Sequence, residues 1–186
     1  MASQAVSTAP VSGGHLWLMR AAFVAVSLLI LVVQLLPLGL APIGWVGPDL
    51  LFALALVWVA RRPAYAPVGL VALVFFIADL LLQRPPGLWA ATALLATEAL
   101  RARSHDLRDM IFAAEWGIVT VILGVFTVCF LALWMLLVPY EISVPLFVLQ
   151  MLLTLLAYPL MTGISVAVFG VTKAQPGQTD SLGRKL

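Results

Sequence analysis

Residues 107–138 read LRDMIFAAEWGIVTVILGVFTVCFLALWMLLV. After Asp109 the stretch carries one charge, Glu115, and it holds no proline. A helix over these positions extends about 48 Å, beyond the roughly 30 Å hydrocarbon core of a bilayer. The stretch therefore reads as a membrane-crossing helix that tilts or projects past the lipid. Asp106 is placed to cap it, with Asp109 near its positive end.

The rest of the chain has the same character. Its 186 residues are 63% hydrophobic and only 10% charged, with a mean hydropathy of +1.13. A soluble domain of this size needs far more polar cover, so lipid is the expected solvent for most side chains. Net charge is +2 and the isoelectric point about 9.0. The basic residues fall singly or in small groups between apolar runs, which points to topology signals and away from nucleic acid.

Working outward, six apolar segments emerge in one membrane domain over 16–171, flanked by short mobile cytoplasmic tails at 1–15 and 172–186. Segment 1 covers 16–36 and reads as a retained helix, not a cleaved leader. Residues 37–48, PLGLAPIGWVGP, cannot form a regular helix and read as an extended outer loop or a re-entrant segment. Segment 2 opens with proline at its first helical position and Asp49 beside it, and ends at Arg61-Arg62-Pro63. It spans only about 18 Å. Segment 3 covers 64–82, and segment 4, also short, 86–100. Pro139-Tyr140-Glu141 makes an outer turn, and segment 6 covers 142–171 with kinks expected near Pro145 and Pro159. The expected architecture is all-α and polytopic, with six transmembrane helices of which the second and fourth are short.

Two patterns bear on orientation. With both termini inside, Arg20, Arg61, Arg62, Arg101, Arg103, Arg108, Lys173, Arg184 and Lys185 are cytoplasmic and only Arg84 is outside. Trp17, Trp58 and Trp116 then mark inner helix ends, and Trp45, Trp89 and Trp134 outer ones, as an interfacial belt.

No catalytic constellation, cofactor motif or metal-ligand spacing is found, so no enzymatic role is expected. Neither His15 nor His105 has a plausible nucleophile or carboxylate partner by spacing, and Cys129 reads as a buried, inert thiol. Asp49, Asp79 and Arg84 form an expected outer polar cluster that fixes helix packing. Glu98 and Glu115 read as groups that snorkel to the headgroups near Arg101, Arg103 and Arg108. Small residues Ala113, Gly117, Thr120, Gly124 and Thr127 share one face of segment 5. Ala21-xxx-Ala25 and Gly163-xxx-Ala167, with Gly170 beyond, repeat the pattern on segments 1 and 6. Such faces permit close helix approach, chiefly within the molecule and otherwise to partners or a second copy.

Gly47-Pro48-Asp49-Leu50-Leu51, Arg61-Arg62-Pro63, Ala78-Asp79-Leu80 and Gln83-Arg84-Pro85-Pro86-Gly87-Leu88 together resemble the bacterial rod-shape-determining MreD family, closest in wording to alphaproteobacterial members. The mid-helix glycine of many members is replaced here by Leu73-Val74-Phe75-Phe76, with Gly69 earlier. The resemblance implies a non-catalytic inner-membrane scaffold of the cell-elongation machinery. It would bind MreC and work beside MreB, RodA and a class-B penicillin-binding transpeptidase. The turn from Arg84 to Gly87 and the small face of segment 5 would make the contacts. It also implies a fold similar to the S components of energy-coupling-factor vitamin transporters, in which Ala21 and Ala25 would dock a coupling subunit. Vitamin binding is thus the competing expectation, although 37–48 offers no hydrogen-bonding side chain but Trp45.

Overall fold

The computed structural model describes residues 13–36, 46–137 and 143–173. Residues 37–45 of the stretch expected as an outer loop or re-entrant segment, the Pro139–Glu141 turn, Arg184, Lys185 and most of both tails lie outside the described residues.

Six α-helices follow one another: α1 Gly13–Leu35, α2 Leu50–Arg61, α3 Val68–Leu81, α4 Leu88–Ala102, α5 Phe112–Leu137 and α6 Val144–Phe169. One 3-10 turn, Asp106–Arg108, lies between α4 and α5. Three helices, α1, α5 and α6, are long and apolar enough to cross a membrane. With 23, 26 and 26 residues they extend about 35–39 Å. The other three, with 12, 14 and 15 residues, reach only about 18–22 Å.

The shortest helix occupies the centre. Leu51 through Ala60 of α2 are all buried, and α2 packs on α6, α4 and α1. It runs parallel to α6: the Asp49 N–H donates to Thr154 Oγ1 at 2.8 Å, and Trp58 Nε1 donates to Ser165 Oγ at 3.2 Å. Trp58 sits between Phe23 of α1 and Phe169 of α6, with ring centroids 5.5 and 5.6 Å away. A second aromatic group, Phe52, Trp89, Phe130 and Phe147, joins α2, α4, α5 and α6. Leu29, Val128, Leu136, Leu156 and Val168, all on the long helices, are by contrast exposed.

Several expectations are corrected. Asp106 does not cap α5; it opens the 3-10 turn, and α5 begins at Phe112. Segment 3 starts at Val68, not 64, because Pro67 cannot donate within a helix and stands extended at the N-cap. Pro48 precedes α2, and Asp49 is its N-cap, with Oδ1 accepting from the Phe52 N–H at 2.9 Å. Trp58, Trp89 and Trp134 are covered by protein, because aromatic packing holds them; Trp17 is exposed. Cys129 is exposed, since it lies on the outward face of α5.

The proline expectation also changes. α6 is continuous, and Pro145 falls in its first turn, where the missing N–H costs nothing. Pro159 lies inside the helix and leaves the Leu155 carbonyl without its usual partner four residues on. Trp116 Nε1 donates to that carbonyl at 3.2 Å. The indole of α5 thus replaces the bond that Pro159 removes from α6. Trp116→Phe is expected to cost about 1–2 kcal/mol, the scale of an unmade buried hydrogen bond. In a Pro159→Ala background, where the substituted alanine supplies its own N–H, the same change should cost close to nothing. Unfolding of all four proteins in mild detergent measures the cycle.

Candidate functional site

Two polar clusters lie at opposite ends of α2. At its C-terminal end, Glu115 from the first turn of α5 is completely buried. Arg61 Nε donates to Glu115 Oε1 at 3.3 Å, and the Tyr158 hydroxyl donates to the same oxygen at 2.7 Å. Lys173, just past α6, brings Nζ within 3.0 Å of Oε2, an ion pair whose angle falls outside hydrogen-bond geometry. Its ammonium also donates to the carbonyls of Leu107 and Met110 at 2.8 and 2.7 Å. Phe112 stacks on Tyr158, and Arg61 lies over the Phe112 ring.

The same end collects most of the positive charge. Arg101 donates to the carbonyls of Pro63 and Ala66 and pairs with Glu98 at 2.8 Å. Arg20 Nε reaches the Ala64 carbonyl at 3.1 Å, and Arg62 Nε the Thr172 carbonyl at 2.9 Å. These arginines bind the α2–α3 turn to α1, to α4 and to the end of α6. Snorkelling by Glu115 is therefore corrected: the carboxylate points inward, where two cations and a phenol compensate its desolvation. Glu98 pairs with Arg101, one turn further along α4.

At the other end, Asp49, Asp79 and Arg84 come together. Arg84 Nη1 stands 3.7 Å from Asp49 Oδ2, and its guanidinium lies 5.7 Å from the centre of the Trp89 ring. Asp79 is fully buried, and its Oδ2 accepts from the N–H groups of Gly87 and Ala90, each at 3.0 Å. It therefore supplies α4 with the cap that Gly87 cannot. Gly87 occupies the N-cap position with φ +86°, a left-handed conformation that suits glycine. Asp79 Oδ1 has no hydrogen-bond partner among the described residues.

The small residues behave differently from expectation. Ala113, Gly117, Thr120 and Gly124 face outward on α5, as do Ala21 and Ala25 on α1 and Gly163 and Ala167 on α6; only Thr127 is buried. A Cβ added at Gly117, Gly124 or Gly163 would meet nothing within 4 Å. Intramolecular packing is thus corrected: α4 and α6 pack on α5, whose inner face buries Val119, Ile122 and Phe130, and the small face is turned away from it. Among the described residues, no group of three or more His, Cys, Asp or Glu is placed to hold a metal ion.

The clusters are fastenings. Each joins elements far apart in sequence, and each uses its charges within the molecule. No family model, curated protein or solved structure matches this chain.

Truncating Glu115 to Leu should be severely destabilising, by about 3–5 kcal/mol, because Arg61 and Lys173 lose the carboxylate that compensates them. Adding Lys173→Met should recover part of that loss. Asp79→Leu should cost about 1–2 kcal/mol through the two N–H groups it uncaps. Detergent-solubilised thermal unfolding of the single and double variants provides the check; wild-type behaviour of either carboxylate variant contradicts the assignment.

Proposed function

We propose that this chain is a non-catalytic scaffold in the bacterial inner membrane, of the MreD type. It crosses the bilayer six times, with the arginine-rich end and both termini in the cytoplasm. The reading rests on the resemblance carried by residues 47–103 and on one structural observation. The buried charges are consumed in joining helices, while the small residues suited to close helix approach, Gly117 and Gly124 above all, lie outside with open space beyond them. A surface of that kind accepts a transmembrane helix. Under the proposal its occupant is the single-pass helix of MreC or a second copy of the chain. MreB, RodA and the class-B transpeptidase join the same assembly.

Charge distribution supports the orientation. Arg20, Arg61, Arg62, Arg101, Arg103, Arg108 and Lys173 belong to helix ends and turns on one side, and Arg84 to the other. The Arg84–Gly87 turn is a weaker contact surface than α5, because Arg84 is engaged by Asp49 and Trp89.

The test is affinity purification from the native host in mild detergent, with mass spectrometry of proteins and small molecules. The expected result is recovery of MreC and cell-wall synthases. Gly117→Leu with Gly124→Leu should lower that recovery on the order of tenfold, about 1.4 kcal/mol, with unfolding temperature unchanged. A coupling subunit with ATPases, or a vitamin held at one per chain, would instead establish the transporter reading.

A further inference from the structure

We infer that a groove at the start of α5 binds a single anionic phospholipid, with Arg103 on the phosphate and an acyl chain against Gly117. The first observation is that Arg103 stands apart from the other cations. Among the described residues it is the one arginine or lysine whose side chain has no hydrogen bond, ion pair or ring contact. Its backbone is nonetheless fixed, because it is the C-cap of α4 and its N–H bonds the Leu100 carbonyl at 3.1 Å. An exposed guanidinium thus extends from an anchored point with five N–H donors unspent.

The second observation is what Arg103 borders. Together with Ala114, Gly117, Ile118 and Val121 it lines a groove of about 430 Å³. The four α5 residues are apolar, and the missing side chain of Gly117 leaves room at the centre. From Ala114 to Val121 the lining descends about 10 Å along α5. The groove has a cationic head and an apolar body, complementary to an amphiphile with a phosphate at one end. A free phosphate would find one charged partner and otherwise hydrocarbon. The exposed carboxylates of the same loop, Asp106 and Asp109, are not part of the lining. Met110, Ile111 and Phe112 are exposed apolar side chains at the same helix end, which places the groove mouth at headgroup depth once the chain is in a bilayer.

The groove shares Gly117 with the face assigned above to a partner helix, so the lipid borders that helix's seat, and its headgroup preference rests on Arg103. It makes the annular lipid at this corner a specific ligand.

The experiment uses the full chain, purified in mild detergent and stripped of lipid, then titrated with phosphatidylglycerol or phosphatidylcholine and observed by native mass spectrometry. Wild type is expected to retain one phosphatidylglycerol in preference to phosphatidylcholine. Arg103→Gln should weaken phosphatidylglycerol about fivefold and remove the preference, the scale of one basic residue against anionic lipid. Gly117→Leu should weaken both lipids by filling the groove. Arg108→Gln removes the same charge from the same loop outside the lining and should leave the preference intact. Wild-type lipid retention by Arg103→Gln, or an equal loss in Arg108→Gln, overturns the site. Loss of a co-purifying protein in Arg103→Gln with unchanged phosphatidylglycerol binding also overturns it, in favour of a protein occupant.

Discussion

A helix buried along ten of its twelve residues has two ends that must be satisfied without bulk water. This constraint on α2 organises the polar chemistry of the molecule. At its start, Asp49 caps the first turn and draws in Thr154 and Arg84. At its finish, Arg61 meets the Glu115 carboxylate, and Arg62 bonds the backbone beyond α6. The long helices are thereby tied to a central element that could not stand alone. Breaking either end exposes an uncompensated charge or an unsatisfied backbone group to an apolar interior, a far larger penalty than an exposed pair would incur.

Much of this was legible from sequence where local chemistry decided it. Six helical segments follow from apolar runs punctuated by proline, glycine and arginine, and Asp49 beside Pro48 marked the start of α2. The grouping of Asp49, Asp79 and Arg84 followed from two segment ends and one turn falling on the same side. The Glu115 cluster was harder. Its partners stand 54 and 58 residues away, and Glu115 lies among arginines numerous enough to hold a carboxylate at a headgroup. The available signal was its spacing to Val119 and Ile122, which places it on the buried face of α5.

The burial of the tryptophans and the exposure of the small residues were illegible for a related reason. Each residue type has two stable settings in a membrane protein, one against lipid and one against protein. Indoles suit both a headgroup belt and an aromatic core, and α2 is short enough that Trp58 falls within the bundle. Small residues suit both intramolecular and intermolecular approach, and only knowledge of which face of α5 meets α4 and α6 separates them. Pro159 belongs here too: a proline inside a helix predicts a freed carbonyl, but not that an indole from α5 answers it.

The unequal helix lengths carry a mechanical consequence. Asp49 bonds Thr154, ten residues into α6, so α2 begins about 15 Å short of the point where α6 begins. Around α3 and α4 the chain presents apolar flanks of about 21–22 Å, and around α5 and α6 flanks of about 39 Å. In a bilayer, lipid against the low flank must thin and lipid against the high flank must stretch or tilt the helices. Lipid matched to a flank of one height is mismatched to the other. Under the six-span reading, mismatch of this kind favours short-spanning neighbours at α3 and α4 and long-spanning ones at α5 and α6.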